Sequence, residues 1–288
     1  MSQNIINGLC RTFIRKSLIL FAFTFLCYEI SDAQLQRERA DTGPDYVEIF
    51  PATANAGLST VQITPKRNLN STILHTFGLV KNGIEHFYGL DDGANTRLGL
   101  EYGISDRFSI GLGRMTFHKV VDLNSKYGLL KQTEDGQIPL SITIKMASSV
   151  TNLSGLEFSD RLNYQAAIML ARKFHRISLQ ASPMITYFQR TTGQNYHRLF
   201  GIGLIAAYEI NDRFSVSTEL LPVLGNRNPG THTNMALSLN IDTGGHLFQI
   251  FFTSSQWHNE PYIMANNVDQ FLNGEFRFGF NIHRIFGL

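Results

Sequence analysis

From Leu69 almost to its end, this chain alternates apolar residues with small or polar ones, and short polar breaks divide the alternation into segments. Two of these breaks nearly repeat each other, in Tyr102-Gly-Ile-Ser-Asp-Arg-Phe-Ser-Ile110 and Tyr208-Glu-Ile-Asn-Asp-Arg-Phe-Ser-Val216. Asp and Asn tolerate tight-turn geometry and bond their own backbone two residues on. Period-two alternation on both sides is the signature of half-buried strands, so each repeat reads as a β-hairpin. The whole pattern predicts strands near 70–79, 96–104, 107–118, 126–133, 139–147, 162–173, 176–188, 197–210, 213–223, 233–242, 246–254 and 274–284. Connections at 105–107, 134–138, 174–175, 211–212 and 243–245 are short. Those at 80–95, 119–125, 148–161, 189–196, 224–232 and 255–273 are longer, and the two kinds alternate strictly.

In an antiparallel meander every other connection lies at the same end, so one end carries tight turns and the other long loops. That asymmetry, with an even strand count, predicts an all-β fold: an antiparallel up-and-down transmembrane β-barrel of about twelve strands, with short periplasmic turns and longer extracellular loops. The faces agree. Leu98, Leu100, Tyr102 and Ile104 oppose Arg97, Gly99, Glu101 and Gly103, and Phe276, Phe278, Phe280 and Ile282 oppose Glu275, Arg277, Gly279 and Asn281. Arg114 falls on the lipid side, which places it at the outer interface or marks a bulge. A soluble secreted barrel or sandwich would share the alternation but leaves the one-ended loop lengths without a cause.

Composition changes this picture at the N-terminus. Arg11, Arg15 and Lys16 precede an apolar run from Ser17 to Cys27, and Ser31-Asp32-Ala33 supplies a small-residue cleavage site. Residues 1–33 thus read as a signal peptide, directing the chain to the outer membrane of a Gram-negative cell. The apolar run is shorter than the roughly 20 residues a membrane-spanning helix needs. Both cysteines, Cys10 and Cys27, fall in this segment, so the mature chain would have no thiol chemistry. Residues 34–68 read as an N-terminal periplasmic extension with a short strand near Thr60–Thr64, and 69–288 as the barrel. Whether the extension enters the lumen is left open by the sequence. A net charge of +2 gives no electrostatic case for nucleic acid.

At residues 75–133 a set of motifs accumulates: His75-Thr-Phe-Gly78, Phe87-Tyr-Gly-Leu-Asp-Asp-Gly-Ala94, the Tyr102–Phe108 hairpin, Gly113-Arg114 and Lys126-Tyr-Gly-Leu-Leu-Lys-Gln132. Asp242-Thr-Gly-Gly-His-Leu-Phe-Gln249 and Phe278-Gly-Phe-Asn281 follow later. In this order they resemble a Bacteroidota family of outer-membrane β-barrels of unknown function, the domain of unknown function 5777. Thr76 stands where that pattern has Arg. The resemblance implies fold and location, with lipid and the barrel-assembly machinery as partners, and supplies no catalytic or binding residues.

Candidate chemistry is sparse. The nine histidines are scattered without metal-ligand spacing, and neither a nucleophile elbow nor a phosphate-binding loop is present. No cofactor is expected. Asp91, Asp92 and Asn95 offer oxygen ligands of the kind Ca²⁺ takes, in a loop whose spacing fits no standard calcium loop. Trp257 reads as a membrane-interface anchor or a surface contact. Lumen-lining candidates are Arg97, Glu101, Arg107, Lys145 and Glu209, followed by Arg213, Glu219, Glu275 and Arg277. Such charges either pair and fill a narrow barrel or line a slim aqueous pore. The expected function is non-catalytic, structural or passive small-solute transport. Alternatives are a lipid-acting enzyme using Ser254, Ser255 and His258, and a scaffold for periplasmic or surface partners.

Overall fold

The computed structural model describes residues 46–152 and 155–288, so the expected signal peptide and residues 34–45 lie outside the described residues. The described strands are β1 (Asn68–Leu79), β2 (Asn95–Ser105), β3 (Phe108–Met115), β4 (Val121–Leu130), β5 (Ser141–Val150), β6 (Leu162–Phe174) and β7 (Ile177–Phe188). They continue as β8 (Arg198–Glu209), β9 (Phe214–Leu221), β10 (Val223–Leu224), β11 (Asn234–Asp242), β12 (His246–Thr253) and β13 (Arg277–Gly287). One helix, α1 (Glu260–Asn266), lies between β12 and β13. Each long strand pairs antiparallel with the next, and β13 returns to β1 from Asn68↔Gly287 to Leu79↔Arg277. The two-residue β10 resumes pairing with β8 after Pro222, so twelve strands close one barrel. Closure removes the unpaired edges that an open sheet of this size would expose.

Burial inverts the rule of a water-soluble protein. Leu98 is 55% exposed, Leu112 53% and Phe200 53%, whereas Lys126 is 2% exposed and Glu219 0%. Outward positions are apolar and inward positions largely polar on nearly every strand, which is the arrangement a hydrocarbon surround selects. Among the described residues no helix is long and apolar enough to cross a membrane. Arg114 is the penultimate residue of β3, exposed at the long-loop end, and register through β2–β3–β4 is regular around it. No bulge is present there.

The structure shifts some boundaries. β4 begins at Val121, not near 126, because Asp122 and Asn124 take inward positions and their polarity hides the strand in the sequence. The β3–β4 connection shrinks to residues 116–120 while β4–β5 extends over 131–140, so the loop-length alternation is a trend and not a strict rule. The expected strand at Thr60–Thr64 does not form; the local pairing in that region is an isolated Ala54↔Ser59 bridge.

Candidate functional site

The lumen is occupied by two inserts that enter from opposite ends. The inner insert, residues 46–67, starts at the turn end, where Tyr46 bridges Thr133 and Val47 N–H donates to Gln132 O. It climbs to mid-barrel, reverses at Ala54–Ser59, and returns to the turn end, where Arg67 N–H donates to Gly103 O before β1 begins. The expected periplasmic extension is thus, in its described part, a segment inside the barrel. Glu219 of β9 holds the tip: its carboxylate accepts from Gly57 N at 3.1 Å, Leu58 N at 3.2 Å and Asn55 Nδ2 at 3.3 Å. Ile49, Phe50, Leu58 and Val61 pack with Met169, Met184 and Ile205 on the β6–β8 side, giving this quarter of the lumen an apolar shelf.

The outer insert, residues 254–276, descends from the loop end. Asn259 caps α1 through Tyr262 N, and Pro261 presets the first turn. Trp257 stacks on Tyr262 with centroids 5.0 Å apart and meets the Phe117 edge at 4.8 Å. The only Trp is therefore 9% exposed inside the mouth, and the interface-anchor expectation for it fails. The inserts meet where Glu260 Oε1 accepts from Ser59 N at 3.0 Å and Lys145 Nζ donates to Glu260 Oε2 at 2.7 Å and Ser59 Oγ at 2.7 Å. Burial alone would raise the Glu260 carboxyl, but the Lys145 ammonium and these hydrogen bonds bring it down to about 2. Burial lowers the His258 imidazole to about 3, and its Nε2 faces Asn95 O at 3.1 Å.

Most charges of the lumen pair, while Glu219 is satisfied by N–H groups of the inner insert. Arg97 clamps Asp122 through Nε at 3.0 Å and Nη2 at 2.6 Å, and Lys126 lies 3.5 Å from Glu101. Both pairs span β2 and β4, across the intervening β3. They can do so because β3 offers Gly111 and Gly113: a Cβ at Gly113 would sit 2.0 Å from Arg97 Nη2 and 2.4 Å from Asp122 Oδ2. At the turn-end mouth Lys173 pairs with Glu209 at 2.5 Å, and toward the loop end Arg277 pairs with Asp269 at 2.8 Å. Around the first group a cavity of about 80 Å³ remains, bounded by Arg97, Glu101, Asp122, Lys126, Lys145 and Glu260.

Of the sequence candidates, Arg97, Glu101, Lys145, Glu219 and Arg277 line the lumen, and Glu209 lies at its mouth. Arg107 and Arg213 do not: both sit exposed in turns. Glu275 precedes β13 and pairs with Lys81 at 2.6 Å between two outer loops. The calcium candidates do not converge. Asp92 accepts from Asn82 and bonds His86, Asn95 Oδ1 accepts from Thr116 and Phe117 N, and Asp91 is exposed. Among the described residues no group of three His, Cys, Asp or Glu is placed to hold a metal. Ser254, Ser255 and His258 are buried in the outer insert, with Ser255 Oγ donating to Trp257 O. Asp122, Lys126 and Glu260 were missed by sequence reasoning. Asp122 fell in a presumed loop and Glu260 in another, and the glycine strip facing them was the available signal.

Residues 50–286 match the family model described as "Membrane bound beta barrel domain (DUF5777)". The chain belongs to this family. The match begins inside the inner insert, so this membrane-bound barrel carries its lumen segment within the family domain. No curated protein sequence matches the chain. Solved structures similar to this barrel include the NanC porin, at 12% identity and TM-score 0.48, covering 76% of this chain and 99% of that one. An outer membrane channel from Pseudomonas putida F1 aligns at 10% identity and TM-score 0.48, covering 83% and 100%. Outer membrane phospholipase A from Escherichia coli aligns at 11% and 0.44, covering 77% and 91%.

Proposed function

We propose that this protein is an outer-membrane barrel that passes small solutes passively, without catalysis, and is closed at rest by its inner insert. The supporting observation is the chemistry of the wall around that insert. Glu219, Lys126 and Gln249 are inward, buried and bonded to it, and the half-buried Glu101 accepts from Thr64. A barrel filled only for stability gains little from such groups, because replacing buried ion pairs by well-packed apolar residues is often neutral or stabilising. A wall that meets water whenever the insert leaves needs them. Export through a cleaved signal peptide, folding by the barrel-assembly machinery and a surround of outer-membrane lipid belong to the same reading. The burial of Ser255 and His258 in the packed mouth supports the non-catalytic reading.

Planar-bilayer recording tests the reading. Full-length protein is expected to show rare or small openings, and a variant lacking residues 47–64 stable, larger ones. A closed barrel in both preparations would remove transport from the proposal.

A further inference from the structure

The inner insert is gripped chiefly by its backbone. Lys126 Nζ donates to Thr53 O at 2.7 Å and Gln62 O at 3.2 Å, Ser178 Oγ donates to Ile49 O at 2.5 Å, and Thr143 Oγ1 donates to Val61 O at 2.8 Å. Glu219 takes the N–H groups of Gly57 and Leu58, and Glu101 that of Thr64. Gln180 is the most telling: its Nε2 donates to Ser59 O at 2.8 Å while its Oε1 accepts from Val61 N at 2.7 Å. The carbonyl of one residue and the N–H of the residue two further on are the pair that a neighbouring parallel strand engages. One side-chain amide here takes the place of that strand.

Side chains of the insert add fewer hydrogen bonds, from Asn55 to Glu219 and Ser217, Thr53 to Asn70, Ser59 to Lys145 and Thr64 to Glu101, while Ile49, Phe50, Leu58 and Val61 are buried. From Ala52 to Thr60 every residue except Leu58 is small: Ala, Thr, Asn, Gly or Ser. Leu58 reaches the apolar shelf, where a Cβ on Gly203 would lie 3.2 Å from its Cδ1. Hydrogen bonds to the main chain, made along the limbs and at the turn where Asn55 N–H donates to Leu58 O, give affinity for a folded-back segment, and apolar side chains packed on Met169, Met184 and Ile205 add a preference. The wall has the chemistry of a receptor for a polypeptide turn.

We infer that the lumen binds short peptides rich in small residues that fold back on themselves, and that residues 46–67 occupy this site as a tethered stand-in. This rests on the reading of the insert as displaceable, and it names the solute class for the same lumen. Tethering explains occupancy at rest, since a linked segment competes at an effective concentration in the millimolar range.

The test uses two variants and a binding readout separate from conductance. In full-length Gly57→Asp the added side chain would crowd Glu219 Oε1 and Ile263 Cδ1, each 3.0 Å from a Cβ there, and the tip is expected to be displaced. The second variant lacks residues 47–64. A fluorescein-labelled peptide of residues 50–64 and a scrambled version keeping Pro51 and the Asn55–Leu58 turn in place are titrated by anisotropy against folded, heat-modifiable protein, with maltose as an uncharged competitor. Both peptides are expected to bind either variant with affinities within about tenfold of each other, to bind wild type at least about tenfold more weakly, and to resist maltose. Adding Gln180→Ala should weaken both peptides by roughly tenfold, the loss of two hydrogen bonds. Binding confined to the native order, or absent in folded variants, would overturn the inference. Binding without conductance would uphold it and overturn only passive transport.

Discussion

At the scale of single residues, the lumen depends on small groups placed to let large ones meet. Arg97 and Asp122 lie on strands separated by β3, and Gly113 leaves the space their bidentate contact fills. Gly113→Val should separate the pair and leave two buried charges poorly satisfied, costing roughly 3–5 kcal/mol. Loss of heat-modifiable gel mobility at lower temperature or lower urea would show it; an unchanged midpoint would contradict the arrangement. Lys145 gives a sharper case. Lys145→Met strands the Glu260 carboxylate beside Ser59 N, whereas Lys145→Met with Glu260→Leu removes both charges. The double variant is expected to be more stable than the single one, a coupling that a double-mutant cycle measures directly. Alternation in the sequence made Arg97, Glu101 and Lys145 legible as inward residues. Their partners were not, because a partner is fixed by which strands lie side by side and by the gap between them.

At the scale of elements, the two inserts are held by different means and should respond to different perturbations. The descending limb of the inner insert crosses β2 at Gly103, where a Cβ would stand 2.0 Å from Pro65 O and 2.4 Å from Thr64 O. Gly103→Ala must therefore push backbone away, and the expected outcome is faster proteolysis within 46–67 while the barrel stays folded. The outer insert is expected to loosen in acid. His258 is neutral in the fold with its pKa held near 3, so below 6.5 the unfolded loop takes up a proton that the folded loop refuses. Glu260, held near 2, adds stability that is present above 4.5 and lost as pH falls through 2. Both contributions decline in the same direction. Cleavage in 254–276 should rise as pH is lowered from about 7 to about 4, and a loop that became more protected would contradict this assignment. Sequence periodicity located every barrel strand because lipid contact demands an unbroken apolar face. It passed over the inserts because their order is imposed by side chains on many strands, with no period of their own.

At the scale of the whole molecule, the ends of the barrel differ, and the difference can be tested in cells. Gln194 is exposed in the loop before β8, and Asp212 in the turn before β9. Gln194→Cys is expected to react with an impermeant maleimide on intact cells, and Asp212→Cys only after the outer membrane is opened; the reverse pattern would invert the orientation. The order of strands, their antiparallel closure and the composition of the two barrel faces were already written in the alternation of residues, since each position must match either hydrocarbon or lumen. The sequence also put buried charge inside and left two outcomes, a filled barrel or a slim pore. Only the tertiary structure showed which segments occupy the lumen. Whether a lumen is empty depends on what chain lies in it and which distant groups satisfy that chain, and such contacts, from Asn55 to Glu219 or from Ser59 to Glu260, leave no local pattern to read.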